Sequence, residues 1–114
     1  MYQLDKPDNL VEMLEDSIAI HGANEWFGVK NRDNAYQWYT YKQVGTRIDN
    51  LRGGLASIGI GRGDTVGIIS NNSVEWAVAC YATYGRSARF VPMYEAELVS
   101  TWEYIIRDSS IKVL

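Results

Sequence analysis

Residues 65–93 read TVGIISNNSVEWAVACYATYGRSARFVPM, and the changes of character along this stretch decide the fold class. Thr65 to Ser70 is a short β-rich apolar run, the pattern of a strand buried on both faces. Asn72 or Ser73 supplies the N-cap of a helix that places Val74, Ala77, Val78 and Tyr81 on one face and runs up to Gly85. Arg89 to Met93 predicts a second buried strand. Beyond it a third helix is predicted from about Glu97 to Asp108, with Leu98, Trp102, Ile105 and Ile106 facing inward, and Ile111 to Leu114 opens another strand. Strand, helix, strand, helix, strand is the order of parallel pairing with right-handed crossovers.

Upstream, Asn9 is an N-cap with Glu12 three residues later, a capping box for a helix over residues 10–19 that carries Val11, Leu14 and Ile18 on one side and ends near Gly22. Glu25 to Val29 and Ala35 to Tyr41 hold aromatic and β-branched residues around Asn31-Arg32-Asp33-Asn34, which predicts a β-hairpin. Thr40 and Gln43 form a second capping box. Val44, Ile48, Leu51, Leu55 and Ile58 follow at steps of four and three, the strongest periodicity in the chain, and predict a helix from about Tyr41 to Ser57 facing a core. The fold class is therefore α/β: a partial parallel sheet flanked by helices, with an N-terminal β-hairpin.

The 114 residues suffice for one domain at most. A 46% hydrophobic and 22% charged composition is that of a folded soluble chain, so disorder is expected only at residues 1–8. The formal net charge of −3 argues against a nucleic-acid partner or an anionic membrane surface. Cys80 is the single cysteine and His21 the single histidine, which excludes an internal disulfide framework and a zinc site of ordinary composition and fits a reducing, cytoplasmic compartment. No basic-then-apolar leader opens the chain, and no apolar run approaches the ~20 residues of a membrane span. The chain closes inside an apolar strand rather than in a polar tail, which leads to the expectation that residues 1–114 are a partial domain of a longer protein.

The order of motifs resembles a known family. Tyr39-Thr40-Tyr41 leads into the long helix, then come Gly59-Ile60-Gly61-Arg62-Gly63-Asp64-Thr65-Val66-Gly67-Ile68, Asn72-Ser73-Val74-Glu75-Trp76, Phe90-Val91-Pro92-Met93-Tyr94 and Ile106-Arg107-Asp108-Ser109-Ser110. Over residues 24–114 this series resembles the opening of the large N-terminal domain of adenylate-forming enzymes. Tyr36-Gln37-Trp38-Tyr39 and Tyr94-Glu95-Ala96 look most like medium- or long-chain fatty acyl-CoA synthetases. Arg86, Ser87 and Arg89 depart from the small apolar residues usual there. The resemblance implies a parent ligase that uses ATP, Mg and coenzyme A: a carboxylate attacks ATP to give an acyl-adenylate and pyrophosphate, and the thiol of coenzyme A then displaces AMP. It implies a cytoplasmic parent or one peripheral to a membrane. That family's Ser/Thr/Gly-rich phosphate loop, adenine- and ribose-binding motifs and lysine have no counterpart between Met1 and Leu114. No catalytic, cofactor-binding or metal-ligating residue is therefore assigned, and the 114-residue chain alone is expected to be inactive.

Several residues invite other readings. Gly59, Gly61 and Gly63 end a helix and precede a strand, the reverse of a dinucleotide fingerprint, and read as a C-cap and turn. Arg62-Gly63-Asp64 spells an adhesion tripeptide by chance, with Asp64 shaping the turn. Cys80 reads as a packing thiol, His21 as a helix C-terminal residue favouring the dipole, and Trp26, Trp38, Trp76 and Trp102 as packing residues rather than a stacking platform. Two functions stand side by side: the structural N-terminal portion of a fatty acyl-CoA synthetase, partnered by the rest of that enzyme, or a free-standing α/β interaction module. An exposed last strand and an apolar helix face at Trp102 and Ile106 predict self-association through the C-terminal third.

Overall fold

The computed structural model describes residues 6–114, so of the segment expected to be disordered, residues 1–5 lie outside the described residues. Contacts divide the chain into two units, residues 1–47 and 48–114.

The first unit holds α1 (Leu10–His21), β1 (Glu25–Lys30), β2 (Tyr36–Thr40) and the first turns of α2 (Tyr41–Ser57). α1 begins as the sequence predicts: Asn9 Oδ1 accepts from the Glu12 amide at 2.9 Å. Glu12 reaches back one residue further than a capping box requires, its Oε2 accepting from the Asp8 amide at 2.8 Å. At α2 the box is reciprocal, the Gln43 amide donating to Thr40 Oγ1 and the Thr40 amide to Gln43 Oε1. β1 and β2 pair antiparallel, with a bulge between Glu25 and Phe27. Asn31 closes the hairpin by accepting on Oδ1 from the amides of Asp33 and Ala35, while Asn34 takes the left-handed φ of 64° that asparagine tolerates. Gly45 lies against Ile18, where a Cβ would meet Ile18 Cδ1 at 2.9 Å. Substitution there would require the end of the Ile18 side chain to shift.

The second unit holds the rest of α2, then β3 (Thr65–Ile69), α3 (Val74–Tyr84), β4 (Arg89–Met93) and α4 (Val99–Ser109). β3 and β4 pair in parallel, Thr65 beside Arg89 through Ile69 beside Met93. The segment after α4 meets β3 on its other side through one parallel bridge, Val66 to Val113, rather than a full strand; the Lys112 amide donates to the Thr65 carbonyl and the Gly67 amide to that of Val113. The Arg89 amide donates to the Asp64 carbonyl. Alternation along the strand then turns Val91 and Met93 toward β3, and Phe90 and Pro92 away from it. Pro92, which has no N–H, thus sits at an outward position of the edge strand, where proline costs no ladder bond.

Three helices of this unit end by one device. After α2, Gly59 adopts φ 85°, its amide donates to Ala56 and that of Ile60 to Leu55. This is a Schellman motif, with Leu55 and Ile60 both buried as its apolar pair. After α3, Ser87 takes φ 56°, bonding to Tyr84 while Ala88 bonds to Thr83. After α4, Ser110 takes φ 54°, bonding to Arg107 while Ile111 bonds to Ile106. Each left-handed residue reverses the chain, and after α2 and α3 the next side chain, Ile60 and Ala88, is buried.

Several expectations are corrected by the packing. Leu51 and Ile58, counted on the inner face of α2, are 38% and 62% exposed; for Ile58 the reason is that the helix stops at Ser57 and the reversal at Gly59 buries Ile60 in its place. Leu98 is 73% exposed at the N-cap of α4, whereas Trp102, Ile105 and Ile106 are half-buried as their inward face requires. β4 is not covered on both faces: Arg89 and Pro92 are exposed. The core of this unit is instead Leu55, Ile60, Val66, Val74, Val78, Ala82 and Met93, with Thr65 and Thr83 buried among the apolar residues.

A left-handed conformation costs a side chain with a Cβ roughly 1–2 kcal/mol. Ser87→Gly and Ser110→Gly are therefore each expected to stabilise the chain by about 1 kcal/mol, less the unfolded-state entropy that glycine adds; urea unfolding midpoints check this.

Candidate functional site

Parallel strands in open α/β sheets present ligands with the crevice outside their carboxyl ends. Here those ends are Ile69 and Met93, side by side in the register. The chain leaves β3 through Ser70, Asn71 and Asn72 into α3, and leaves β4 through Tyr94, Glu95 and Ala96 toward α4. Between the two exits lies a cleft of about 520 Å³ lined by these six residues with Trp76, Pro92 and Met93. That volume falls in the range of small-molecule sites.

The cleft has an apolar floor and a polar rim. Met93 is buried beneath it. Trp76 stands in the first turn of α3, whose start is fixed by Ser73: its Oγ accepts from the Trp76 amide at 3.2 Å. The indole meets Phe90 edge-on, centroids 5.2 Å apart at 89°. On the opposite wall Trp102 Nε1 donates to the Tyr94 carbonyl at 2.8 Å, pinning the exit from β4 while the Tyr94 ring remains 78% exposed. The rim offers two amides, Asn71 and Asn72, and one carboxylate, Glu95; the Ser70 hydroxyl is spent on the Asn71 carbonyl. No His, Cys or Lys lines it; its titratable side chains are Tyr94 and Glu95.

The sequence reading assigned no residue to this place, although Asn72, Trp76, Tyr94 and Glu95 all stand in motifs it quoted. Once Thr65–Ser70 and Arg89–Met93 are read as parallel strands, the residues that follow each are the natural place to look.

In the glycine turn the Gly61 amide donates to Asp64 Oδ2 at 2.9 Å and the Asp64 amide to the Gly61 carbonyl, so both polar groups of the Gly61 backbone are taken within the turn, as a helix C-cap and turn requires. Among the described residues no three His, Cys, Asp or Glu gather as a metal site would require, and no helix is long and apolar enough to cross a membrane. His21 is the last residue of α1, beside the Tyr41 ring, with Nδ1 3.4 Å from Asn24 Nδ2. Cys80 is buried, which pushes its thiol up; the Tyr84 hydroxyl hydrogen-bonded to it offsets part of that rise and is itself held up chiefly by the same bond. Trp26 stacks between Phe27 and Tyr41. Trp38 covers Gly28 with one ring face and is 50% exposed, so packing accounts for half of it.

The chain belongs to the AMP-binding enzyme family, whose model matches residues 11–114. Fatty acyl-CoA synthetase A of Dictyostelium discoideum is 34% identical over 79 residues, covering 69% of this chain and 12% of that protein. Long chain acyl-CoA synthetase 3 of Arabidopsis thaliana is 29% identical over 114 residues, covering 94% of this chain and 17% of that one. Among solved structures, the fatty acid AMP ligase from Legionella pneumophila superposes with a TM-score of 0.85 at 18% identity, covering 97% of this chain and 21% of that one. The inhibitor-bound N-terminal domain of FACL13 from Mycobacterium tuberculosis gives 0.81 at 25% identity, covering 92% and 26%. The α/β architecture with its leading hairpin is thus that of adenylate-forming enzymes, and the chain spans 12% and 17% of the two relatives' length.

Asp64 of the Arg62-Gly63-Asp64 tripeptide is turned into the fold. Its Oδ1 accepts from Lys112 Nζ at 2.9 Å, and this bond, with that from Gly61, holds the carboxyl below the usual carboxylate range. A depressed folded-state pKa contributes stability that is fully present above the unfolded value near 4 and is lost as pH falls through the folded value. Asp64→Asn is expected to lower the urea midpoint at pH 7, with the gap to the unsubstituted chain closing below pH 4; a gap independent of pH would contradict this account.

Proposed function

We propose that the chain is a structural portion of an ATP-dependent acid–thiol ligase that activates fatty acids and joins them to coenzyme A. The observation that carries the reading is the family match over residues 11–114, together with relatives named as fatty acyl-CoA and long chain acyl-CoA synthetases. ATP, Mg and coenzyme A are then ligands of the whole protein. The residues present contribute a scaffold: the parallel pair β3–β4, the helices that flank it, and the cleft at the strands' carboxyl ends, which suits an apolar group with a polar, uncharged or cationic edge near Asn71, Asn72 and Glu95. In this reading the rest of the enzyme is the principal partner. The exposed side chains of Leu98, at the N-cap of α4, and of Val99 and Tyr104 on it are a surface through which the isolated chain self-associates.

Two measurements test this. The isolated chain, incubated with ATP and palmitate, is expected to release no pyrophosphate above a buffer blank. A chimera in which residues 11–114 replace the matched stretch of the Dictyostelium enzyme is expected to keep palmitate-dependent pyrophosphate release and to form palmitoyl-CoA. Release by the isolated chain, or a folded chimera active in neither assay, would overturn the scaffold reading. Sedimentation of the isolated chain is expected to show dimers at millimolar concentration that Leu98→Glu disperses.

A further inference from the structure

The end of the parallel pair opposite the cleft carries a charge pattern unlike the rest of the chain. Arg86 donates from Nε to the Ile60 carbonyl at 2.9 Å, and its Nη2 lies over Gly61. Arg89 donates from Nη2 to the Gly63 carbonyl at 2.8 Å. Lys112 bonds Asp64. Arg62 projects from the middle of the turn, exposed and with no partner among the described residues. Of the side chains that belong to this turn or bond to it, four are cationic and one is a carboxylate, a local charge of +3 in a chain whose formal total is −3.

Two features make this more than scattered surface charge. The guanidinium groups of Arg86 and Arg89 are each anchored to a main-chain carbonyl by one nitrogen, so they are held in place with their remaining N–H groups unspent, and little rotamer entropy is lost when those groups meet an anion. The four cations also repel one another, and Asp64 offsets only one of them; a polyvalent anion relieves that repulsion.

We propose that Arg62, Arg86, Arg89 and Lys112, gathered on the Gly59–Asp64 turn, form a binding site for a polyvalent phosphate-bearing anion, held by side chains rather than by the turn's own amides. The site is remote from the cleft and independent of the ligase reading.

The test uses the 114-residue chain at low ionic strength with tripolyphosphate as probe. Tripolyphosphate is expected to raise the melting temperature above that in sodium chloride of matched ionic strength, and to shift amide resonances of residues 58–64, 86–89 and 112 saturably. Arg62→Glu, a change at an exposed residue with no hydrogen-bond partner among the described residues, is expected to weaken binding at least tenfold without lowering the melting temperature in the absence of probe. Arg32→Glu in the hairpin turn, the same charge change elsewhere, is expected to leave the affinity alone. A parallel sedimentation with phosphatidylglycerol or phosphatidylcholine vesicles separates the sources. Binding to the phosphatidylglycerol vesicles alone assigns a lipid phosphate. Binding to tripolyphosphate and to neither vesicle assigns a soluble one. Binding to neither probe, or equal weakening by Arg62→Glu and Arg32→Glu, would overturn the proposal.

Discussion

The second unit is tied together at Asp64. Its carboxylate takes the Gly61 amide and the Lys112 ammonium, and its carbonyl takes the Arg89 amide. One residue thus fixes the turn that enters β3, the starting point of β4 beside it, and the segment that bridges to the far side of β3. Parallel strands have no hairpin to set their register, because a whole helix intervenes. Something at the strand starts must set it instead, and here the bonds from Arg89, through its amide and its Nη2, place Arg89 opposite Thr65 and carry the ladder to Ile69 and Met93. The cleft follows from that register, since a slip of one residue would separate the two exits that form its walls and would turn each side chain of the strand to the other face.

Much of this was legible in the sequence. The capping boxes at Asn9 and Thr40, the Asn31–Asn34 hairpin and the strand–helix–strand order each rest on interactions among near neighbours, which periodicity and turn chemistry report directly. The exposures of Ile58 and Leu98 were not legible, because both lie one residue outside a helix end, where a helical count still places them on the inner face. Ser87 and Ser110 escaped for a different reason. Serine gives no sign that it will adopt a left-handed conformation, and only the paired bonds to the preceding turn, with Ala88 and Ile111 pulled inward, hold it there. Gly59, in the same role, was read correctly because glycine announces it.

The function divides along the same line. The motif order pointed to the family that the comparisons then showed, while the cleft needed the strands to be set in space before Asn72 and Tyr94 could be seen as facing walls. A total of −3 does not report the cationic end of the second unit, a local group that only the fold assembles.

Pro92 has a consequence for what the chain avoids. An uncovered β edge is a template on which another strand can zip, and long-lived misassembly begins there more readily than at helix surfaces. Across the outward side of β4 only Phe90 retains an amide to offer, since the next outward position is a ring nitrogen. A stray strand laid along that edge finds its ladder interrupted after one rung. The same edge is thus open to water at Pro92 without offering the next amide of a ladder.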